Sequence, residues 1–344
     1  MPKIKVFVVD DSAFMRGIIT KMLESDDEIE VIGSARNGQE AIERIGELKP
    51  DVVTLDIEMP VMNGIEALKY LMKNNPLPVI MFSALTSEGA EITLEALNIG
   101  ASDFITKDFS NFSIKISGKE NELISKVKNV AKKKSLYLMR RINLPRKQIT
   151  INKQKRIRHS ILAIGASTGG PPAIENVLSA IPVDFPLPIV ISQHMPKLFT
   201  KSFAQRLNNT SQITVKEAEN GEMLQRGVAF IAPGDAHMGI TRRNNEVFVE
   251  FTNDSKYIYR PSVDLLFSSV AQAYGMESIC VILTGMGNDG LAGAKEVKAK
   301  NGYVIAQDED TCVVYGMPRA VVNANMADIV LPLEKITEEI MKVL

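Results

Sequence analysis

The chain has 344 residues, 45% of them hydrophobic and 24% charged, with a formal net charge of −1. That length suggests about two domains, and that mix excludes disorder throughout and collagen-like repetition. No apolar run approaches the roughly 18 residues of a membrane helix, and the N-terminus lacks a signal peptide's profile. Two cysteines, Cys280 and Cys312, with no CxxC pair, point to a reducing, cytoplasmic setting.

Apolar runs at 4–9, 29–35, 52–55, 79–82 and 101–105 alternate with amphipathic stretches at 13–23, 39–48, 64–73 and 89–99. Repeated β/α units of this kind predict a parallel sheet with helices on both faces. Sites in such folds gather at the carboxyl ends of the strands. Asp10 and Asp11 close the first run, Asp56 the third, Ser83 the fourth and Lys107 the fifth. Singly, an aspartate there commonly caps a helix and a lysine is commonly a surface charge. Together, three carboxylates on one edge repel unless a cation joins them, and their oxygens suit a hard ion such as Mg²⁺. A carboxylate between such an ion and a lysine can accept a phosphoryl group.

From Lys115 to Arg158 there are fifteen Lys and Arg against two acids, Glu120 and Glu122. The later part of this tract shows little periodicity, contains Pro145, and reads as a solvated interdomain linker over residues 136–158. It lacks the aromatic interleaving or zinc spacing of a nucleic-acid binder. His159, at its end, reads as solvated.

Beyond the linker, strands are expected at 161–165, 188–192, 228–232, 246–251, 279–283 and 303–306, again in alternating α/β order. After the first comes Gly165-Ala166-Ser167-Thr168-Gly169-Gly170-Pro171-Pro172 and a helical stretch at 173–180. Small residues around a serine at a strand-to-helix turn leave its hydroxyl exposed beside backbone N–H groups. His194 follows the second strand and Asp289 the fifth, so hydroxyl, imidazole and carboxylate all lie at strand ends, as a hydrolytic triad requires. A competing reading exists. Gly285-Met286-Gly287-Asn288-Asp289-Gly290 fits GxGxxG between a strand and a helix, with Asp308 further on, which suits a dinucleotide. Asp289 counts against it, because it sets a negative charge where pyrophosphate would bind. His237, after another strand, stands as an alternative base or a supporting polar residue.

Family resemblance arbitrates. VVDDSAFMR, DVVTLDIEMPVMNG, MFSA and DFITK resemble a response-regulator receiver domain. This implies a flavodoxin-like fold with Asp56 as phosphoacceptor. It also implies Mg²⁺ held by Asp10, Asp11, Asp56 and the Glu58 backbone carbonyl, and a switch made of Ser83, Phe104 and Lys107. Asp108 stands where that family usually has proline. GASTGG, SQHMP, APGD-x-HM and LTGMGNDG resemble the catalytic domain of chemotaxis protein-glutamate methylesterases, the CheB family. That resemblance implies a doubly wound, mostly parallel α/β domain with Ser167, His194 and Asp289 as triad and the Met286 N–H at the oxyanion. Thr168 N–H, next to the serine, is the other candidate donor.

The resulting expectation is a receiver at 1–135, a linker at 136–158 and a methylesterase domain at 159–344. Such a chain is a phosphorylation-activated serine hydrolase that demethylates glutamate methyl esters, and deamidates glutamines, on chemoreceptors during bacterial chemotaxis adaptation. A histidine kinase is the implied phosphodonor and the chemoreceptor cytoplasmic domain the substrate. Mg²⁺ belongs to the receiver, and no cofactor is expected for the ester reaction. A cytoplasmic monomer without nucleic acid or membrane insertion is expected. The alternative is a phosphorylation-switched output protein that binds a nucleotide or nucleic acid.

Overall fold

The first five apolar runs become strands β1 (Ile4–Val9), β2 (Ile29–Ala35), β3 (Val52–Asp56), β4 (Val79–Ser83) and β5 (Asp103–Thr106). They belong to a computed structural model that describes residues 2–107, 115–132 and 159–344. All pair in parallel, in the order β2-β1-β3-β4-β5. β3 and β4 are buried along their whole length, because a parallel sheet covered by helices on both faces has no wet side. Four of the intervening helices start at a side-chain cap, on Ser12, Asn37, Asn63 and Thr86. Each cap satisfies one backbone N–H that lacks a partner within its helix. Sequence and fold agree closely here.

The basic tract begins as a helix, Lys115–Ala131. Lys126 ion-pairs with Asp103 and Glu122, and Lys128 with Asp26 and Glu28. Part of the positive surplus is therefore neutralised by the unit itself. The linker at 136–158 and the departure at Asp108 lie outside the described residues. The chain divides into two compact units, Met1–Asn143 and Leu144–Leu344.

In the second unit seven strands form one parallel sheet: β6 (Ile161–Ala166), β7 (Ile189–Gln193), β8 (Thr214–Glu217), β9 (Val228–Ile231), β12 (Ser278–Ile282), β13 (Tyr303–Gln307) and β14 (Ile329–Leu331). Their order is β14-β13-β12-β6-β7-β9-β8. The doubly wound α/β class expected from sequence is thus the class observed. One strand is reassigned. The run at 246–251 belongs to β11 (Glu246–Thr252), which pairs antiparallel with β10 (His237–Arg243) in a separate ribbon. His159 is not a solvated end either: its Nδ1 lies 2.8 Å from the Val343 carbonyl and its ring packs near Tyr303. Both cysteines are free and buried. Among the described residues, no helix is long and apolar enough to cross a membrane.

β6 is the pivot. From it the chain steps to β7 on one side and later returns as β12 on the other, so the order reverses at β6. Open α/β sheets carry their sites at such a point, outside the carboxyl ends.

Candidate active site and candidate phosphorylation site

Ser167, His194 and Asp289 leave the sheet just past β6, β7 and β12. Backbone bonds continue the sheet beyond those ends, with Ser167 N donating to Thr284 O at 3.0 Å and His194 N to Ala166 O at 3.1 Å. The turn after β6 then enters the helix Gly170–Ser179 through Gly169, whose φ of +75° suits glycine. Pro171 and Pro172 sit in the first turn, where their missing N–H groups are not needed. Gly285 lies against the serine. A Cβ at 285 would come within 2.9 Å of Ser167 Cβ and 2.3 Å of Met317 Sδ. Only glycine lets the turn after β12 approach the hydroxyl so closely.

His194 Nε2 lies 2.7 Å from Asp289 Oδ2. The carboxylate is only 5% exposed, so it needs donors. It finds them at the start of the helix Val263–Tyr274. Ser262 Oγ donates to Oδ1 at 3.1 Å, Val263 N to Oδ2 at 2.8 Å and Asp264 N to Oδ1 at 2.9 Å. Gly290 N adds 3.1 Å to Oδ1. Burial works against the Asp289 charge, but the His194 bond and the backbone donors together hold its pKa below the usual carboxylate range. The neighbouring Asp264 is pushed up to about 6, by burial first and with the Asp289 charge adding to it. The two environments leave Asp289 as the anion of the pair.

With Nε2 engaged by Asp289, Nδ1 is the ring nitrogen left for Ser167. No hydrogen bond joins Ser167 Oγ to His194 among the described residues, so one of the two links of the expected triad is formed. Tyr259 stacks on the imidazole, with ring centroids 4.9 Å apart and planes 10° apart. Met286 N–H donates to no partner among the described residues, and Thr168 is buried, its carbonyl accepting from Thr284 Oγ1 at 2.9 Å. His237 is not placed to act as the base. It is fully buried, and its Nδ1 accepts the Ser262 N–H at 3.2 Å. The glycine turn does not offer a phosphate cradle, because the Asp289 carboxylate already takes Gly290 N and the start of the helix Val263–Tyr274.

In the first unit, Asp10, Asp11 and Asp56 converge so that one oxygen from each lies within 4.8 Å of the others. Lys107 Nζ bridges two of them, 2.9 Å from Asp10 Oδ2 and 2.7 Å from Asp56 Oδ2. Asp11, Asp56, Glu58, Ser83 and Lys107 line one cleft of about 210 Å³. An all-oxygen cluster of this size, held around a single lysine charge, fits a hard divalent ion. Burial pushes Asp56 up to about 6, with the Asp10 charge adding to it and Lys107 opposing. Ser83 Oγ is fully buried and turned to Thr93, whose hydroxyl lies 2.7 Å away, and to the Gly89 carbonyl at 3.2 Å. Phe104 is buried, with Lys126 Nζ on its carbonyl and 5.4 Å from its ring centroid.

The raised Asp56 pKa gives a stability prediction with a definite sign. Between about pH 4 and 6 the native carboxyl holds a proton that the unfolded chain has released, so stability falls as pH rises through that window. Asp56→Asn removes this decline. In chelator at pH 7 the variant's receiver unit should be more stable than the parent's by about 3 kcal/mol, and Mg²⁺ should stabilise the parent more than the variant. Hydrogen exchange of the β1–β5 peptides at about pH 4 and pH 7, with and without Mg²⁺, reads both effects.

Comparison with known proteins comes at the same two places. The family described as CheB methylesterase matches residues 162–340, and the response regulator receiver domain family matches residues 6–116. A protein-glutamate methylesterase/protein-glutamine glutaminase of Pyrococcus horikoshii is 46% identical over 347 residues, covering 99% of this chain and 93% of the relative. One of the same name from Thermotoga maritima is 46% identical, covering 98% of each. The crystal structure of the Thermotoga maritima CheB methylesterase catalytic domain superposes with a TM-score of 0.53 at 47% identity, covering 54% of this chain and 99% of that one.

Proposed function

Since this chain belongs to the CheB methylesterase family and carries a response regulator receiver domain, we propose that it is a phosphorylation-controlled protein-glutamate methylesterase and protein-glutamine glutaminase acting at Ser167. The observation that carries this reading is the His194–Asp289 bond at the same sheet edge as a glycine-flanked serine. The nucleotide-binding alternative finds no support in the family matches.

In this mechanism Ser167 Oγ attacks the carbonyl carbon of a glutamate methyl ester as His194 Nδ1 takes its proton. Asp289 holds the ring through Nε2 and stabilises the imidazolium. The Ser167–His194 hydrogen bond tightens as substrate enters, since such bonds are often long in free enzymes. Charge building on the carbonyl oxygen meets the N–H groups of Met286 and Thr168. Collapse expels methanol, protonated by His194, and leaves an acyl-serine. Water, deprotonated by the same nitrogen, then releases the glutamate carboxylate and the serine. With a glutamine side chain the first leaving group is ammonia and the rest is unchanged.

Control rests on the first unit. Asp56 is the proposed phosphoacceptor, with Lys107 beside it and Ser83 and Phe104 as the groups that respond. Asp10, Asp11, Asp56 and the Glu58 carbonyl would hold Mg²⁺, which when bound neutralises charge on the transferring oxygens. A histidine kinase is the proposed phosphodonor, a chemoreceptor cytoplasmic segment the substrate, and the cytoplasm the setting. The proposed division is a receiver at 1–135, a linker at 136–158 and an esterase at 159–344.

The test is methanol release from methylated receptor with and without a small phosphodonor. Release should rise with the phosphodonor in the parent and not in Asp56→Asn. A variant that is still stimulated would remove Asp56 from its role, and a parent that releases no methanol would remove the esterase.

A further inference from the structure

His237 takes no part in the mechanism above, yet it is a wholly buried imidazole two contacts away from it. It opens β10, and its Nδ1 accepts the N–H of Ser262 at 3.2 Å. Ser262 is the N-cap of the helix Val263–Tyr274, its Oγ accepting from Leu265 N at 3.3 Å. The same hydroxyl, with the next two backbone N–H groups, makes three of the bonds that grip Asp289. An N–H donor fixes the tautomer: Nδ1 carries the lone pair and Nε2 the proton. Among the described residues Nε2 has no hydrogen-bond partner, so the ring is held at this position by one bond and by packing against Tyr257, 5.5 Å between centroids.

We propose that His237 is a positioning residue for Asp289: its Nδ1 lone pair anchors the Ser262 amide and so sets the three-residue cradle that aims the carboxylate at His194. This deepens the esterase reading and rests on it. Only the neutral ring can serve, because a proton on Nδ1 would face the Ser262 N–H donor to donor. The surroundings favour the neutral form. Burial and the nearby Arg260 charge lower the His237 pKa, while Asp289 and Asp254 pull the other way and do not overcome them.

Asparagine places its Oδ1 where histidine has Nδ1, whereas leucine offers no acceptor, so the pair of variants isolates the one bond. In the full chain, His237→Leu should lower kcat about tenfold, because the cradle loses the anchor that aims Asp289, with KM unchanged. His237→Asn should recover most of that loss. Labelling of Ser167 by a fluorophosphonate should follow the same order, and it reads the serine and its base without any methyl ester. The deciding measurement is a double-mutant cycle on labelling rate. If His237 acts through Asp289, His237→Leu should cost less than twofold once Asp289 is already asparagine. An equal loss in both backgrounds, or a His237→Asn no better than His237→Leu, would overturn the proposal. Labelling without methanol release would instead count against the esterase reading alone, leaving the cycle to decide on His237.

Discussion

Ser167→Ala should abolish methanol release, lowering kcat by at least about 10⁴-fold, while the chain keeps its fold. The magnitude follows from the role, since removal of a triad nucleophile leaves only oxyanion stabilisation and binding. The fold should survive because Ser167 contributes little to packing: its structural bonds are made by the backbone, N to Thr284 O and O from Gly170 N and Gln193 Nε2. Alanine keeps all three. Circular dichroism and the unfolding midpoint should match the parent, and labelling by a fluorophosphonate should vanish. An alanine variant with parental turnover would end the acyl-enzyme scheme, whatever the family.

Asp289→Asn should cost about 10⁴-fold in kcat and, unlike the serine variant, should also cost stability. The carboxylate accepts from His194, Ser262, Val263, Asp264 and Gly290, so an amide must present an NH₂ to one of those donors. The pH dependence of the stability loss has a sign. The native pKa lies below that of the unfolded chain, so the charge stabilises the fold above about pH 4 and loses that effect as pH falls through the native value. Parent and variant should therefore differ by about 1–2 kcal/mol at pH 7 and converge in acid. A constant difference across pH would show that charge is not what the helix start is holding.

Much of this was legible in the sequence because β/α units put polar residues at the ends of apolar runs. Asp10, Asp56, Ser83 and Lys107 are placed by that rule in one unit, and Ser167, His194 and Asp289 in the other, so residues up to 122 positions apart share one rim. What stayed hidden depends on contacts with no period. The helix start that holds Asp289 lies at Ser262–Asp264, and no spacing links it to the carboxylate; only the serine before an amphipathic stretch marks a cap. Alternating apolar residues mark 246–251 as a strand, but alternation does not say which partner a strand takes. A usable signal was present in Asn244-Asn245, both at positive φ between Arg243 and Glu246, a two-residue turn of the kind that closes hairpins. β8 has two charged residues among its four, and β14 is only three residues long, so neither presents an apolar run of strand length. The glycine motif misleads for a physical reason: Gly285 serves close approach to Ser167, Gly287 faces Tyr259 and Gly290 packs against Ile282 and Val263, so each meets protein rather than a phosphate.

The attachment of Asp289 to the outer nitrogen of His194 has a consequence for anyone who would copy this chemistry elsewhere. On the proposed mechanism it leaves the inner nitrogen, two bonds from Cβ, to trade the proton with the nucleophile. That atom lies nearer the main chain than the outer one, so its location depends on the strand terminus at the end of β7 together with the two side-chain torsions that the Asp289 bond and the Tyr259 ring hold in place. A transplant that reproduces three side chains on another scaffold would then fail unless it also reproduces the strand terminus beneath the imidazole.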